Sequence, residues 1–121
     1  MLSWTPYILT VYVLLTKGTA GIVVVLVAQA AINYALKVTI REPRPDTSCG
    51  WSVWGMPSAH TQLMVLLVLM VWPTSPSARI VALLLMAQRV WSNCHTIPQV
   101  LAGAATGAAI HHLSVSIVNN K

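Results

Sequence analysis

The stretch that decides the fold is Gly55-Met-Pro-Ser-Ala-His-Thr-Gln-Leu-Met-Val-Leu-Leu-Val-Leu-Met-Val-Trp72, in which a polar turn leads directly into an apolar segment. Proline is favourable at the first position of a helix, so a helix is predicted to begin at Pro57 and to end near Trp72. The hydroxyl and backbone amides of its first turn lie where a helix attracts an anion. This stretch therefore predicts an apolar helix with an anion-binding N-terminus.

The rest of the chain is similarly apolar. Its 121 residues are 56% hydrophobic and 7% charged, with a mean hydropathy of +0.71. Soluble chains carry roughly 25% charged residues, so an all-α, polytopic membrane bundle is predicted, as one domain over residues 1–121. The seven Lys and Arg residues are too few and too dispersed for a basic stripe, and nucleic-acid binding is not expected.

Five membrane-crossing helices are predicted, over about residues 4–16, 19–38, 57–72, 78–91 and 96–118. Pro43 and Pro45 prevent the second helix from continuing, because proline has no amide donor and restricts the residue before it. Several of these spans are short for a hydrocarbon core of ~30 Å. The N-terminal segment lacks the features of a cleaved signal peptide and is expected to be retained.

Four polar motifs are expected to meet at one membrane face, because consecutive helices alternate in direction. They comprise residues 37–45, 55–62, 88–91 and 95–100. Three basic residues are predicted at the opposite face: Lys17, Arg79 and Lys121. On the motif side, three of the four basic residues have a chemical reason to be there, which leaves Arg41, beside Glu42. The positive-inside rule then favours the non-cytoplasmic face for the motifs.

The motifs contain the groups that bind a phosphate. Arg44 and Arg89 offer planar forks that match phosphate oxygens, and Lys37 supplies a compact charge. Ser58 and the amide of Ala59 lie at a helix N-terminus. The alternative for any one cation is a side chain that reaches the lipid headgroups. Because three cations and two histidines are expected at one membrane face, a phosphate-binding site is favoured.

Two histidines have the chemistry of phosphate transfer. A neutral His95 can attack phosphorus and form a phosphohistidine, and His60 can protonate the departing oxygen. Gln99 lies one helical turn after His95, so its side-chain oxygen is predicted to accept the ring N–H and to fix the tautomer. His111 and His112 have no phosphate motif around them and are interpreted as structural or interfacial.

No metal and no cofactor is predicted. Glu42 and Asp46 are the acids of the chain, too few for a carboxylate-bridged two-metal site, and a His/Cys zinc site would lack close ligand pairs. A disulfide between Cys49 and Cys94 is one hypothesis, since both are predicted on the non-cytoplasmic side, and two unpaired thiols are the other. The small residues from 103 to 107 predict core packing of the last helix, with a homo-oligomer contact as the alternative.

Together, Lys-x6-Arg-Pro, Pro-Ser-x-His and Arg-x5-His resemble the type 2 phosphatidic acid phosphatase superfamily. In detail, residues 41–45, 55–62 and 89–100 look like dolichyldiphosphatase and related polyprenyl-diphosphate phosphatases, and the resemblance spans about residues 33–107. It implies phosphate binding by four residues: Lys37, Arg44, Ser58 and Arg89. It implies that His95 is the nucleophile and that His60 is the general acid. Gln99 replaces the usual aspartate, as in dolichyldiphosphatases, and Ala59 replaces a common glycine.

The resemblance implies a metal-independent membrane hydrolase that acts on a polyprenyl diphosphate such as dolichyl diphosphate. In a eukaryote its site would face the endoplasmic reticulum lumen and serve protein glycosylation. Phosphatidate, phosphatidylglycerol phosphate and undecaprenyl diphosphate are the alternative substrates. A non-catalytic binder of lipid diphosphate, or a structural membrane protein, is the alternative from another class. Lipid diphosphate and membrane lipids are the expected partners. Whether so short a protein is active alone or needs a helix from a partner stays open.

Overall fold

The computed structural model describes residues 5–17, 20–45 and 54–119. Its helices are α1 (Thr5–Lys17), α2 (Ala20–Ile40), α3 (Ala59–Val71), α4 (Pro76–Trp91) and α5 (Ile97–Asn119). These ranges contain no strand, although an isolated antiparallel bridge pairs Pro43 with Trp54. The all-helical fold is thus confirmed, and all five helices begin and end within two residues of the predicted bounds.

Among the described helices, α2 alone is long and apolar enough to cross a membrane. Its 21 residues extend ~31 Å, about the thickness of the hydrocarbon core. The apolar helices α1 and α3 have 13 residues each, which extend only ~20 Å. The crossing of a membrane by these helices stays a prediction.

Serine caps determine where α3 and α4 begin. The hydroxyl oxygens of Ser58 and Ser75 each accept a hydrogen bond from the backbone amide of the residue three positions later, at 3.3 and 3.1 Å respectively. Pro57 therefore lies before the cap and outside the helix, and the prediction that it opens α3 was wrong. A serine side chain can satisfy an amide of the first turn, which makes it the better residue for the boundary. Pro76 takes the first helical position of α4.

The central helix is α3, which contacts all four other helices and α5 most extensively. One of its sides, including Leu66 and Leu67, packs in a core cluster with residues of α1, α2 and α5. Another side, with Met64 and Val68, packs against α4. Because α3 is enclosed by the other helices, its N-terminal turn is fixed relative to every other part of the bundle.

Two glycines allow α5 to approach α3 closely. A Cβ atom at Gly103 would lie 2.5 Å from the carbonyl oxygen of Ser58, and one at Gly107 would lie 2.5 Å from that of Gln62. Both obstacles are backbone atoms, so any side chain would force the helices apart. The prediction that these small residues serve core packing is confirmed. The homo-oligomer stays an untested alternative.

We expect Gly107→Ala to destabilise the bundle by about 1–3 kcal/mol, because the added methyl group overpacks the contact with the α3 backbone. The measurement is the midpoint of thermal unfolding in detergent. Ala105→Val, at an exposed position of the same helix, is the control. Equal midpoints for Gly107→Ala and the wild type would contradict the close contact.

Candidate active site

The ends of the helices bring the four motifs together. The C-terminal ends of α2 and α4 and the N-terminal ends of α3 and α5 carry them. Three of the cations, Lys37, Arg44 and Arg89, lie close enough to His95 for their charges to act on its imidazole. The structure thus places these four predicted site residues, which are distant in sequence, in one neighbourhood.

A closed turn connects the end of α4 to His95. The carbonyl oxygen of Arg89 accepts the amides of both Cys94, at 3.1 Å, and His95, at 3.2 Å. Asn93 within this turn has a φ angle of 60°, a left-handed conformation in which asparagine is enriched. The Arg-x5-His spacing is therefore the length of a turn that fixes the histidine backbone against that of the arginine.

The imidazole of His95 is buried and held in one tautomer. Its Nδ1 atom lies 3.0 Å from the carbonyl oxygen of Gly55. A carbonyl can only accept, so Nδ1 carries the proton and Nε2 carries the lone pair. The side chain is 2% exposed. This tautomer is the one that makes Nε2 a nucleophile.

The predicted hydrogen bond between Gln99 and His95 is wrong. The Oε1 atom of Gln99 accepts the amide of Thr96 at 3.0 Å. Its Nε2 atom donates to Glu42 Oε1, at 2.8 Å, and to the carbonyl oxygen of Pro43, at 2.9 Å. The loop after α2 offers these two acceptors beside the start of α5, so a backbone carbonyl binds the imidazole instead. Gln99 fastens that loop to α5.

Gly55 is a site residue that sequence reasoning missed. Its amide donates to the carbonyl oxygen of Glu42 at 2.7 Å, and its carbonyl oxygen binds His95. A Cβ atom at this position would lie 2.5 Å from Gln99 Oε1 and 2.9 Å from Arg44 Cβ. Only glycine fits between these side chains. The one available signal was a glycine at the head of the motif over residues 55–62.

Two buried arginines have donors that no atom of the described protein accepts. Arg44 and Arg89 are 8% and 3% exposed. Arg44 Nη2 donates to the carbonyl oxygen of Trp54 at 3.3 Å, but Arg44 Nε, Arg89 Nε and Arg89 Nη2 are buried without a hydrogen-bond partner. Buried donors of this kind are costly unless something accepts them. A bound anion with several oxygens would satisfy them.

The site has an excess of positive charge. The acids of the chain are Glu42, whose carboxylate is bonded to Gln99, and Asp46, which lies outside the described residues. Burial lowers the pKa of Arg44, yet a guanidinium remains charged at neutral pH. The cations therefore favour an anionic ligand over a neutral one.

The first turn of α3 faces the same region. Ser58 is fully buried; its hydroxyl donates to Thr61 Oγ1 at 3.1 Å, and its amide donates to the carbonyl oxygen of Gln99 at 3.0 Å. The serine hydroxyl thus caps the helix. The amide of Ala59, the first helical residue, has no acceptor within the helix. Phosphate binding by Ser58 and Ala59 stays a prediction.

A buried polar ladder supports this turn from the interior of the bundle. Lys37 Nζ and Asn33 Nδ2 donate to the carbonyl oxygen of Pro57, at 2.6 and 3.3 Å. Asn33 also donates to Gln62 Oε1 at 2.9 Å, and Gln62 Nε2 donates to the carbonyl oxygen of Gln29 at 2.8 Å. Sequence reasoning missed the ladder, although Gln29, Asn33 and Lys37 recur every four residues on α2.

His60 lies in the first turn of α3 and is half-buried. Its ring meets that of Tyr7 of α1 edge-on, with the centroids 5.2 Å apart and the planes at 73°. Sequence reasoning assigned no role to Tyr7. His111 and His112 lie in the second half of α5, away from the start of that helix where the motif residues are.

Cys94 is disulfide-bonded. Cys49 lies outside the described residues, so the predicted pairing of the two cysteines stays a prediction. Among residues 5–17, 20–45 and 54–119, no three His, Cys, Asp or Glu side chains cluster as metal ligands.

We expect His95 to remain neutral down to about pH 4. Burial, and then the charges of Arg44, Lys37 and Arg89, lower its pKa to about 3, although the bond to Gly55 opposes the shift. NMR titration of the imidazole checks this, and a midpoint near the ordinary 6.5 would contradict it. Since the pKa is lower in the folded state, the stability from neutral His95 is complete above about pH 6.5. That stability is lost as the pH falls towards 3.

We expect Asn33→Leu to destabilise the protein by about 1–3 kcal/mol, because it leaves the buried Oε1 of Gln62 without its donor. Gln62→Met should lower the free energy of unfolding much less when it is added to Asn33→Leu than when it is made in the wild type. The measurement is a double-mutant cycle on thermal unfolding in detergent. Strictly additive effects would contradict the ladder.

The model of the PAP2 superfamily matches residues 18–121. No curated protein and no solved structure matches the chain.

Proposed function

This chain belongs to the PAP2 superfamily, and we propose that it removes the terminal phosphate of a polyprenyl diphosphate, with dolichyl diphosphate as the first candidate. Membership of the superfamily itself indicates a phosphatase of lipid phosphates in a membrane. The apolar bundle suits a long lipid tail, and the cationic end suits the diphosphate.

The observation that carries the proposal is the set of unpaired N–H groups on Arg44 and Arg89 around a buried, neutral His95. A terminal phosphate has three oxygens, enough to accept those donors together. Lys37 and the α3 N-terminus would add positive potential. The bond from Nδ1 to Gly55 leaves the Nε2 lone pair of His95 available to attack a phosphorus atom held in this way.

Two displacements at phosphorus complete the proposed reaction. His95 Nε2 attacks the terminal phosphorus, so that a P–N bond forms and the P–O bond to the lipid phosphate breaks. His60 donates its proton to the departing oxygen. A water molecule then gives a proton to neutral His60 and attacks the phosphohistidine, which breaks the P–N bond. Inorganic phosphate leaves, and both histidines return to their starting states.

Two features support a polyprenyl diphosphate over lipid monophosphates such as phosphatidate. Gln99, in place of the superfamily's aspartate, matches dolichyldiphosphatases in the resemblance. In this structure it joins α5 to Glu42 and Pro43. A diphosphate also offers a stabilised lipid phosphate as its leaving group. Phosphatidate, phosphatidylglycerol phosphate and undecaprenyl diphosphate remain the alternative substrates.

We propose that the site faces the non-cytoplasmic side of the membrane, which is the endoplasmic reticulum lumen in a eukaryote, where the product would serve protein glycosylation. The distribution of Lys and Arg supports this orientation. The disulfide at Cys94 also supports it, since Cys94 immediately precedes His95 and disulfides persist in oxidising compartments.

We expect the wild type to release phosphate from dolichyl diphosphate in the presence of EDTA, and His95→Ala to reduce release to background. His60→Ala should lower kcat by about 10²–10⁴, the usual contribution of a general acid. His112→Ala, at an exposed position outside the motifs, is the matched control and should match the wild type.

A panel of lipid phosphates makes the same assay a test of substrate. Equal release by wild type and His95→Ala would exclude His95 as the nucleophile. Binding of dolichyl diphosphate without turnover of any lipid phosphate would favour the non-catalytic binder. Faster turnover of phosphatidate than of either polyprenyl diphosphate would overturn the proposed substrate and leave the phosphatase assignment in place.

A further inference from the structure

A tyrosine of the first helix reaches the site from outside the segment that matches the family. The match covers residues 18–121, whereas Tyr7 lies in α1. Its ring contacts the imidazole of His60 edge-on at 5.2 Å. The helix that carries Tyr7 packs against α3, the helix that carries His60. The contact thus joins an element beyond the family match to the proposed general acid.

The phenol of Tyr7 is also close to the arginines. In its ionised form it raises the pKa of the Arg44 guanidinium against the effect of burial, and it interacts electrostatically with Arg89 as well. The Tyr7 side chain is 45% exposed. One residue therefore contacts the proposed acid and lies within electrostatic range of both proposed phosphate-binding guanidinium groups.

We propose that Tyr7 is a positioning residue, whose ring holds the His60 imidazole towards the leaving oxygen. This inference rests on the proposed function. An imidazole in the first turn of a helix can adopt several rotamers, and an aromatic ring packed on it at a fixed angle excludes most of them. Proton transfer depends on such placement, because small displacements of a catalytic group reduce the rate strongly.

Two substitutions separate the ring from the hydroxyl. Tyr7→Leu removes both, and we expect kcat to fall by about tenfold or more as the imidazole is released. Tyr7→Phe keeps the ring that contacts His60, so both kcat and KM should stay within about twofold of the wild type.

The matched control lies on the same helix. Tyr12 is 51% exposed and stacks on Trp72, with centroids 6.4 Å apart, at the other end of α3. Tyr12→Leu removes a comparable aromatic contact between α1 and α3, so any general loosening of α1 should appear in it too. We expect its kcat and KM to match those of the wild type.

The test uses the full chain in detergent with dolichyl diphosphate, and NMR of His60 supplies a readout independent of turnover. The Tyr7 ring current should shift the His60 imidazole resonances in wild type and Tyr7→Phe, and the shift should vanish in Tyr7→Leu. Equal kcat for Tyr7→Leu and Tyr12→Leu, in a protein that His95→Ala inactivates, would overturn the role of Tyr7 alone. A wild type inactive on all lipid phosphates would overturn the proposed function, and this inference with it.

Discussion

Burial of three cations at one end of an apolar bundle is the constraint on which the rest of the structure depends. Lys37, Arg44 and Arg89 are each less than 9% exposed, and the described residues supply one carboxylate, that of Glu42, which is bonded to Gln99. Such burial is costly unless each cation is held by acceptors or completed by an anion. The carbonyl oxygens of Pro57 and Trp54 meet part of this requirement, and the remaining guanidinium donors would be satisfied by the anion that we propose binds here.

The same charges determine the chemistry of the histidine among them. Together with burial they keep the imidazole of His95 neutral, so its lone pair is available without the loss of a proton. The bond to Gly55 decides which nitrogen bears that lone pair. The negative charge of a bound phosphate would balance the three cations. The same cations would then stabilise the phosphoryl group of the phosphohistidine.

Much of the fold could be predicted from the sequence because apolar runs, interrupted by prolines and polar turns, mark the helix ends to within two residues, although serine caps rather than Pro57 decide where α3 begins. The convergence of Lys37, Arg44, Arg89 and His95 followed from alternation of helix direction, which requires no knowledge of side-chain contacts. The hydrogen-bond acceptor of the His95 ring could not be predicted in this way. Gln99 has the right helical spacing, but its amide is occupied by a loop whose path depends on the bridge between residues 43 and 54.

Other site residues were missed for a similar reason. Gly55 matters through its backbone and through its lack of a side chain, neither of which has a chemical signature in sequence. Tyr7 is one of several aromatic residues in an apolar segment, and its contact with His60 depends on how α1 packs against α3. The ladder through Asn33 and Gln62 was more accessible, since its α2 members recur at helical spacing.

The most direct measurement is a rapid-quench experiment with dolichyl diphosphate labelled in its terminal phosphate, followed by mass spectrometric mapping of the labelled protein. A buried, neutral imidazole among phosphate-binding cations should form a phosphoramidate that is labile in acid and stable in alkali, located on His95 and formed as fast as turnover. Turnover with no label on His95, or label on another residue, would contradict nucleophilic attack by that imidazole.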